Sequence, residues 1–218
     1  MRAFFVINQK YKYKLMNQFG PKIGYFSLNN EELSKLVKLT DSAISQKSLE
    51  KKSNRLAGQL EKEITLPTQL LEGEHFGCLF TDIMKEYVIL SMDEIGEQVP
   101  DEKITAVMTE AWINSQYENE YNPVHYHPGC TLSAVIYLKV PKFNDREIHK
   151  NTKKENIDGC ICFINKTVEH TALERSTITV MPKEGDLYIW PSKLLHCVYP
   201  FQGPGERRSI AFNGWFSL

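Results

Sequence analysis

Long apolar runs are missing from this 218-residue chain. The opening Met1-Arg2-Ala3-Phe4-Phe5-Val6-Ile7 stays apolar for only five residues before Lys10, Lys12 and Lys14 interrupt it. Such a stretch is too short for a signal peptide and far too short to span a bilayer, so a cytoplasmic protein with no membrane partner is expected. Net charge is missing as well. The 26 Lys and Arg oppose 27 Asp and Glu, which leaves −1 and no global field to draw in nucleic acid or an anionic membrane. Cysteine is sparse, and the five present (Cys78, Cys130, Cys160, Cys162, Cys197) are odd in number and irregularly spaced. Free thiols in a reducing compartment are favoured over a disulfide framework. Cys160-Ile161-Cys162 also lacks the second pair of a structural zinc site, and strand alternation favours small core residues there. No internal repeat or low-complexity tract occurs.

What is present is a hydrophobic content of 42% with 11% aromatics, enough for one buried core with an appended layer. A single domain over 1–218 is expected, with a helical scaffold in 1–103 and a β-rich core in 104–218. Asn29-Asn30-Glu31-Glu32 ahead of Leu33, Leu36, Val37 and Leu39 predicts a capped amphipathic helix. Leu79, Ile83, Tyr87 and Leu90 predict a second helix over about 76–90. The charged run from Gln46 to Lys62 reads as a solvated connection. From Ile104 the character changes to short β-rich runs at 104–117, 131–140, 159–164, 177–181, 186–190, 196–201 and 207–216. Seven short strands broken by Pro and Gly suit an antiparallel jelly roll, an all-β core with helices in the α+β class. The hydrophilic insert between Pro141 and Asp158 has no apolar periodicity and reads as a loop or lid at the barrel mouth.

The candidate chemistry lies in that second half. Residues i and i+2 of a strand share a face, so His125 and His127 in His125-Tyr126-His127-Pro128-Gly129 can present two imidazoles to one point. His196 on a later strand offers a third nitrogen, and Arg207 a permanent cation. Metal beside a fixed cation suggests an anionic co-substrate. Alternation sends Arg207 and Arg208 to opposite faces; Arg207 shares its face with Ser209, Ala211 and Asn213, and Arg208 is then the solvated one. His75, His149 and His170 have no partners in the pattern and read as ordinary histidines.

At Tyr121-Asn122-Pro123-Val124-His125-Tyr126-His127, and from Trp190-Pro191-Ser192 through Arg207-Arg208-Ser209-Ile210-Ala211-Phe212-Asn213, the sequence resembles the Fe(II)/2-oxoglutarate-dependent oxygenases, a bacterial and phage branch above all. The resemblance covers roughly residues 104–218 and implies a double-stranded β-helix, the cupin-like jelly roll, with the N-terminal helical layer packed on it. It implies Fe(II), 2-oxoglutarate as co-substrate and O2, with His125, His127 and His196 on the metal and Arg207, helped by Ser209, on the remote carboxylate. Position 127 holds His where most of that superfamily has a carboxylate. Glu118 or Glu120 on the upstream strand is the alternative third ligand, and a three-histidine set also suits zinc. Asn114 matches an Asn that contacts the co-substrate in relatives; a solvent-facing strand amide is the alternative. Tyr137 has the parity to donate its hydroxyl to the distal carboxylate, or to pack as a core tyrosine.

The implied activity is hydroxylation or oxidative demethylation of a protein side chain, a nucleobase or a small molecule. Two rivals share the same residues. Gly185-Asp186-Leu187-Tyr188-Ile189-Trp190-Pro191 approaches a cupin motif, which would mean a metal-dependent dioxygenase indifferent to 2-oxoglutarate. The other is a non-catalytic jelly-roll binding module. Oligomeric state stays open, a homodimer being one option.

Overall fold

A computed structural model describes residues 14–16, 20–46, 58–73, 76–143, 156–165 and 176–218. Helix formation follows the local signals. Helix α1 (Asn30–Ser45) starts at a reciprocal capping box: the Asn29 side chain accepts the Glu32 N–H at 2.9 Å, and the Glu32 carboxylate accepts the Asn29 N–H at 3.1 Å. Its buried Leu36, Thr40 and Ala43 recur at helical spacing on one stripe. Helix α2 (Leu79–Asp93) buries Leu79, Phe80, Ile83, Met84, Tyr87, Val88 and Leu90. It begins three residues later than the periodicity alone suggests, because Gly77, at φ 61°, turns the chain just before it.

The strands are β1 (Lys14–Met16), β2 (Ile23–Ser27), β3 (Lys62–Leu66), β4 (Thr105–Gln116), β5 (Asn122–His125), β6 (Leu132–Lys139), β7 (Ile161–Ile164), β8 (Thr177–Val180), β9 (Asp186–Pro191), β10 (Leu195–Val198) and β11 (Arg207–Ser217). They form two antiparallel sheets, one of seven strands in the order β1-β2-β9-β6-β11-β4-β3 and one of four, β5-β10-β7-β8. This is the α+β architecture expected of the double-stranded β-helix, with both helices N-terminal to it. Alternation along the central strands divides the apolar residues between two cores. Ile113, Ile136, Leu187, Ile210 and Phe212 face α1 and α2, where Leu36, Phe80, Ile83 and Met84 cover them. Val135, Tyr137, Tyr188 and Trp190 face the smaller sheet and meet Ile161 and Phe163.

The N-terminal scaffold is more than a helical layer. It supplies β2, which pairs with β9, and β3, which pairs with β4, and so builds both flanks of the large sheet. The connection read as solvated ends inside β3, at Lys62; its residues 47–57 lie outside the described residues, as do residues 144–155 of the hydrophilic insert, His75, His149 and His170. No described helix is long and apolar enough to cross a membrane.

Arg208 corrects the expectation that it is solvated. It does lie opposite Arg207, but that face of β11 meets α1 rather than water. Its Nη1 donates to Asp41 at 2.5 Å and to the Thr40 hydroxyl at 3.2 Å, and its Nε and Nη2 donate to Glu206 at 2.8 and 2.7 Å. Ser115 adds a hydrogen bond to Glu206 at 2.6 Å, and Lys139 reaches Asp41 at 2.9 Å. Burial alone would raise the pKa of Glu206, but the hydrogen bonds from Arg208 and Ser115 outweigh it and hold the carboxyl below its ordinary range. Arg208→Ala is predicted to cost about 2–3 kcal/mol in urea unfolding, near the low end for a broken buried pair because Glu206 keeps Ser115. A depressed carboxylate stabilises the fold above its unfolded pKa, so the gap between wild type and variant should be full at neutral pH. It should shrink as pH falls through the depressed value of Glu206.

Candidate metal centre

The histidines are brought together by sheet register. On the antiparallel pair β5–β10, His125 and His196 are direct partners, with ring centroids 4.3 Å apart. His127 arrives differently from the i, i+2 expectation: β5 ends at His125, and His127 follows in the turn, its N–H donating to the Ser192 carbonyl at 3.0 Å. Its ring stands 5.1 Å from each of the other two. The candidate ligand atoms of all three lie within 4.8 Å of one another, and among the described residues they form the cluster able to hold a metal ion.

Their protonation suits that task. The Nδ1–H of His125 donates to the Pro123 carbonyl at 2.7 Å, and that of His196 to the Leu194 carbonyl at 2.9 Å. In each case Nδ1 is committed to a backbone oxygen two residues upstream, which leaves the Nε2 lone pair for a metal. Burial, the larger cause in both, pulls the pKa of His125 and His196 down, and for His196 the neighbouring His125 and His127 lower it further. Both rings are therefore neutral near pH 7, as ligands must be. Glu118 and Glu120 are engaged elsewhere. Glu118 accepts the Gly203 N–H at 2.7 Å, and Glu120 accepts the Glu61 and Tyr117 N–H groups at 2.9 and 2.7 Å.

The cluster opens into a cavity of about 530 Å³, counted with its solvent-open part, between the two sheets. Arg207 lines it, 3% exposed; its Nε–H donates to the Gly159 carbonyl at 2.9 Å and its guanidinium carbon sits 4.8 Å from the centroid of the Tyr137 ring. Its Nη2 is buried with no hydrogen-bond partner, as are the Tyr137 hydroxyl, the Trp190 indole nitrogen and Asn114 Oδ1. Among the described residues no carboxylate pairs with Arg207. A buried cation left this way is costly unless an anion arrives. Burial pushes the Tyr137 hydroxyl up to about 12, so it is a donor at neutral pH.

Register also aligns a polar row across four neighbouring strands: Glu63 opposite Asn114, Asn114 opposite Ser209, Ser209 opposite Tyr137. All four residues line the cavity. Asn114 therefore faces the cavity rather than solvent, and Tyr137 both packs and presents its hydroxyl. Glu63, 1% exposed, and Asn122 had no sequence signal beyond ordinary strand alternation. Gly58 lies beside them because a Cβ there would come within 2.3 Å of Asn122 Oδ1 and 2.6 Å of Glu63 Oε1.

Residues 110–213 match the family described as "Putative 2OG-Fe(II) oxygenase". No curated protein matches the chain. Among solved structures, it is similar to a prolyl-4-hydroxylase of Pseudomonas putida at 15% identity and TM-score 0.51, over 94% of this chain and 92% of that one. A Trichoplax adhaerens prolyl hydroxylase, solved with a hypoxia-inducible-factor peptide, matches at 13% identity and TM-score 0.51 over 93% and 82%. The α-ketoglutarate-dependent carbocyclase SnoK of nogalamycin biosynthesis matches at 12% identity and TM-score 0.56 over 88% and 78%. These likenesses show the shared fold. Over residues 110–213, a little under half of the chain, the match is to the 2-oxoglutarate and Fe(II)-dependent oxygenases, a family of oxidoreductases.

Loading with Fe(II) or Co(II) followed by elemental analysis tests the cluster. His125→Ala and His196→Ala are each expected to lower metal affinity by at least about tenfold with an unchanged circular dichroism spectrum. His127→Asp should keep the metal and His127→Ala weaken it. Because burial holds His125 and His196 below 6.5, uptake by the wild type should persist as pH falls past that value. Full metal retention in both alanine variants at 125 and 196 would remove the assignment.

Proposed function

We propose that this protein uses Fe(II), 2-oxoglutarate and O2 to hydroxylate or oxidatively demethylate a substrate, with His125, His127 and His196 holding the metal and Arg207 anchoring the co-substrate. The observation that carries this reading is the shared cavity: His125 and His196 converge on it from the smaller sheet and His127 from the turn after β5, and a buried guanidinium with no acid partner among the described residues lines it from the larger sheet. The donor set fits the implied group. Fe(II) bound there with 2-oxoglutarate supplies the oxygen activation and the oxidising power, used in decarboxylating the co-substrate and in attacking a substrate C–H bond.

Each residue then has a physical task. The Pro123 and Leu194 carbonyls fix the His125 and His196 rings, so their lone pairs need no reorganisation when a metal arrives. Three neutral ligands leave a divalent ion its full charge, which favours a dianionic co-substrate over a neutral one. Arg207 forms the ion pair with the remote carboxylate, and the hydroxyls of Tyr137 and Ser209 donate to it. Trp112, Trp190 and Val135 wall the cavity and keep water from the reacting atoms. Glu63 stands at the other end of the polar row from Tyr137, roughly 14 Å away at the usual strand spacing, and with Asn122 is placed to orient the substrate.

Anaerobic titration of 2-oxoglutarate into the Fe(II) protein, followed by the metal-to-ligand absorption band, tests the reading. Arg207→Ala should weaken binding by about 2–5 kcal/mol, on the order of 30- to several-thousand-fold. Arg208→Ala, measured where it is folded, should bind nearly as the wild type does. No saturable binding by the wild type would end the 2-oxoglutarate assignment in favour of a metalloenzyme that does without it.

A further inference from the structure

Strand β10 presents different chemistry on its two faces. His196 points into the cavity; Cys197, the next residue, is half-buried on the other face. The antiparallel register that sets His196 opposite Phe163 also sets Cys197 opposite Cys162 of β7. The two thiols are therefore cross-strand neighbours, with Thr179 the β8 partner of Cys162 on its other side. Nothing in the proposed chemistry uses this pair. The remaining cysteines are placed otherwise: Cys130 is buried against the His127 carbonyl, Cys160 against the Met181 sulfur, and Cys78 is exposed near the start of α2.

Directly opposed residues of an antiparallel pair hold their Cβ atoms about 4.5–5.5 Å apart, and a disulfide needs roughly 3.5–4.5 Å. The pair is thus within about 1 Å of cross-linking geometry by the same comparison. Closing that gap draws Cys197 toward β7, and His196 is bonded to it. The pairing of β10 with β5 is already irregular between His196 and Val198, so the β5 side is where the strand can give. Movement in that direction separates His196 from His125.

We propose that Cys162 and Cys197 form an oxidative modification site, cross-linked by peroxide into a disulfide that ties β7 to β10 and displaces His196 from the metal cluster. In the step, the two S–H bonds and the O–O bond of hydrogen peroxide break and one S–S bond forms. The thiols lose two electrons and two protons, and the peroxide leaves as two waters. The site is reversible by a dithiol reductant. Its effect on the metal rests on the three-histidine reading, whereas the cross-link itself does not.

The test oxidises the full chain with hydrogen peroxide, alkylates it without reduction, maps the cross-linked peptides by mass spectrometry, and measures Mn(II) affinity by calorimetry before and after. The expected result is a Cys162–Cys197 cross-linked peptide and an affinity lowered by about tenfold or more, restored by dithiothreitol. Cys197→Ser should keep the reduced protein's affinity and become insensitive to peroxide; Cys78→Ser should behave as wild type. Oxidation of Cys78 with no 162–197 peptide would overturn the site. A cross-link with unchanged affinity would overturn its coupling to His196. A reduced wild type that binds no metal would instead overturn the proposed function, while peptide mapping still decides the cross-link.

Discussion

One buried cation organises the interior of this protein. Arg207 lies at 3% exposure between two sheets, with one nitrogen satisfied by a carbonyl, an aromatic ring beneath it and a second nitrogen unsatisfied. Burial lowers its pKa, opposed by Tyr137 and Cys160, yet a guanidinium does not deprotonate in a protein. The charge stays, so the cavity around it is a place for anions. The hydroxyls and amides that share the cavity, and the three imidazoles across it, gain their meaning from that positive charge.

The adjacent arginine shows how much depends on which side of a strand a residue takes. Arg207 and Arg208 are chemically identical and consecutive, but β11 is covered on both faces. One guanidinium meets a cavity where Glu63 stands at the far end of the polar row and no carboxylate among the described residues pairs with it; the other meets α1 and finds Asp41, Thr40 and Glu206. The second is a structural clamp between helix and sheet, and the first is the group proposed to receive the co-substrate. Between Arg208 and Ser209 the pairing with β6 slips, which brings Ser209 opposite Tyr137 and completes the polar row.

Strand β10 is the other point of convergence. Its inward residue completes the histidine cluster, and its outward residue meets a second thiol across β7. A strand of four residues, paired irregularly on one side, transmits a change on one face to the other because the backbone between them is shared. The same proximity that makes His196 a well-placed imidazole makes Cys197 able to disturb it.

Alternation, capping and turn residues made the local structure legible from the chain alone. The Asn29 cap, the stripe of α2, the seven C-terminal strand regions and the inward parity of Arg207, Ser209 and Ala211 all follow from periods of 3.6 and 2, which depend only on neighbours in sequence. His125, His127, His196 and Arg207 were legible as a set because their spacing resembles a family pattern. What lay beyond neighbours in sequence was left to the tertiary structure. It decided that His125 and His196 face each other through the β5–β10 register, and that His127 reaches them from a turn. It also decided that Glu63 enters the cavity from an N-terminal strand, and that the far side of β11 is a helix rather than water. Strand order, register and the cover on each face are set by packing across the whole chain. A local pattern says which side chains share a face, but not what that face will meet.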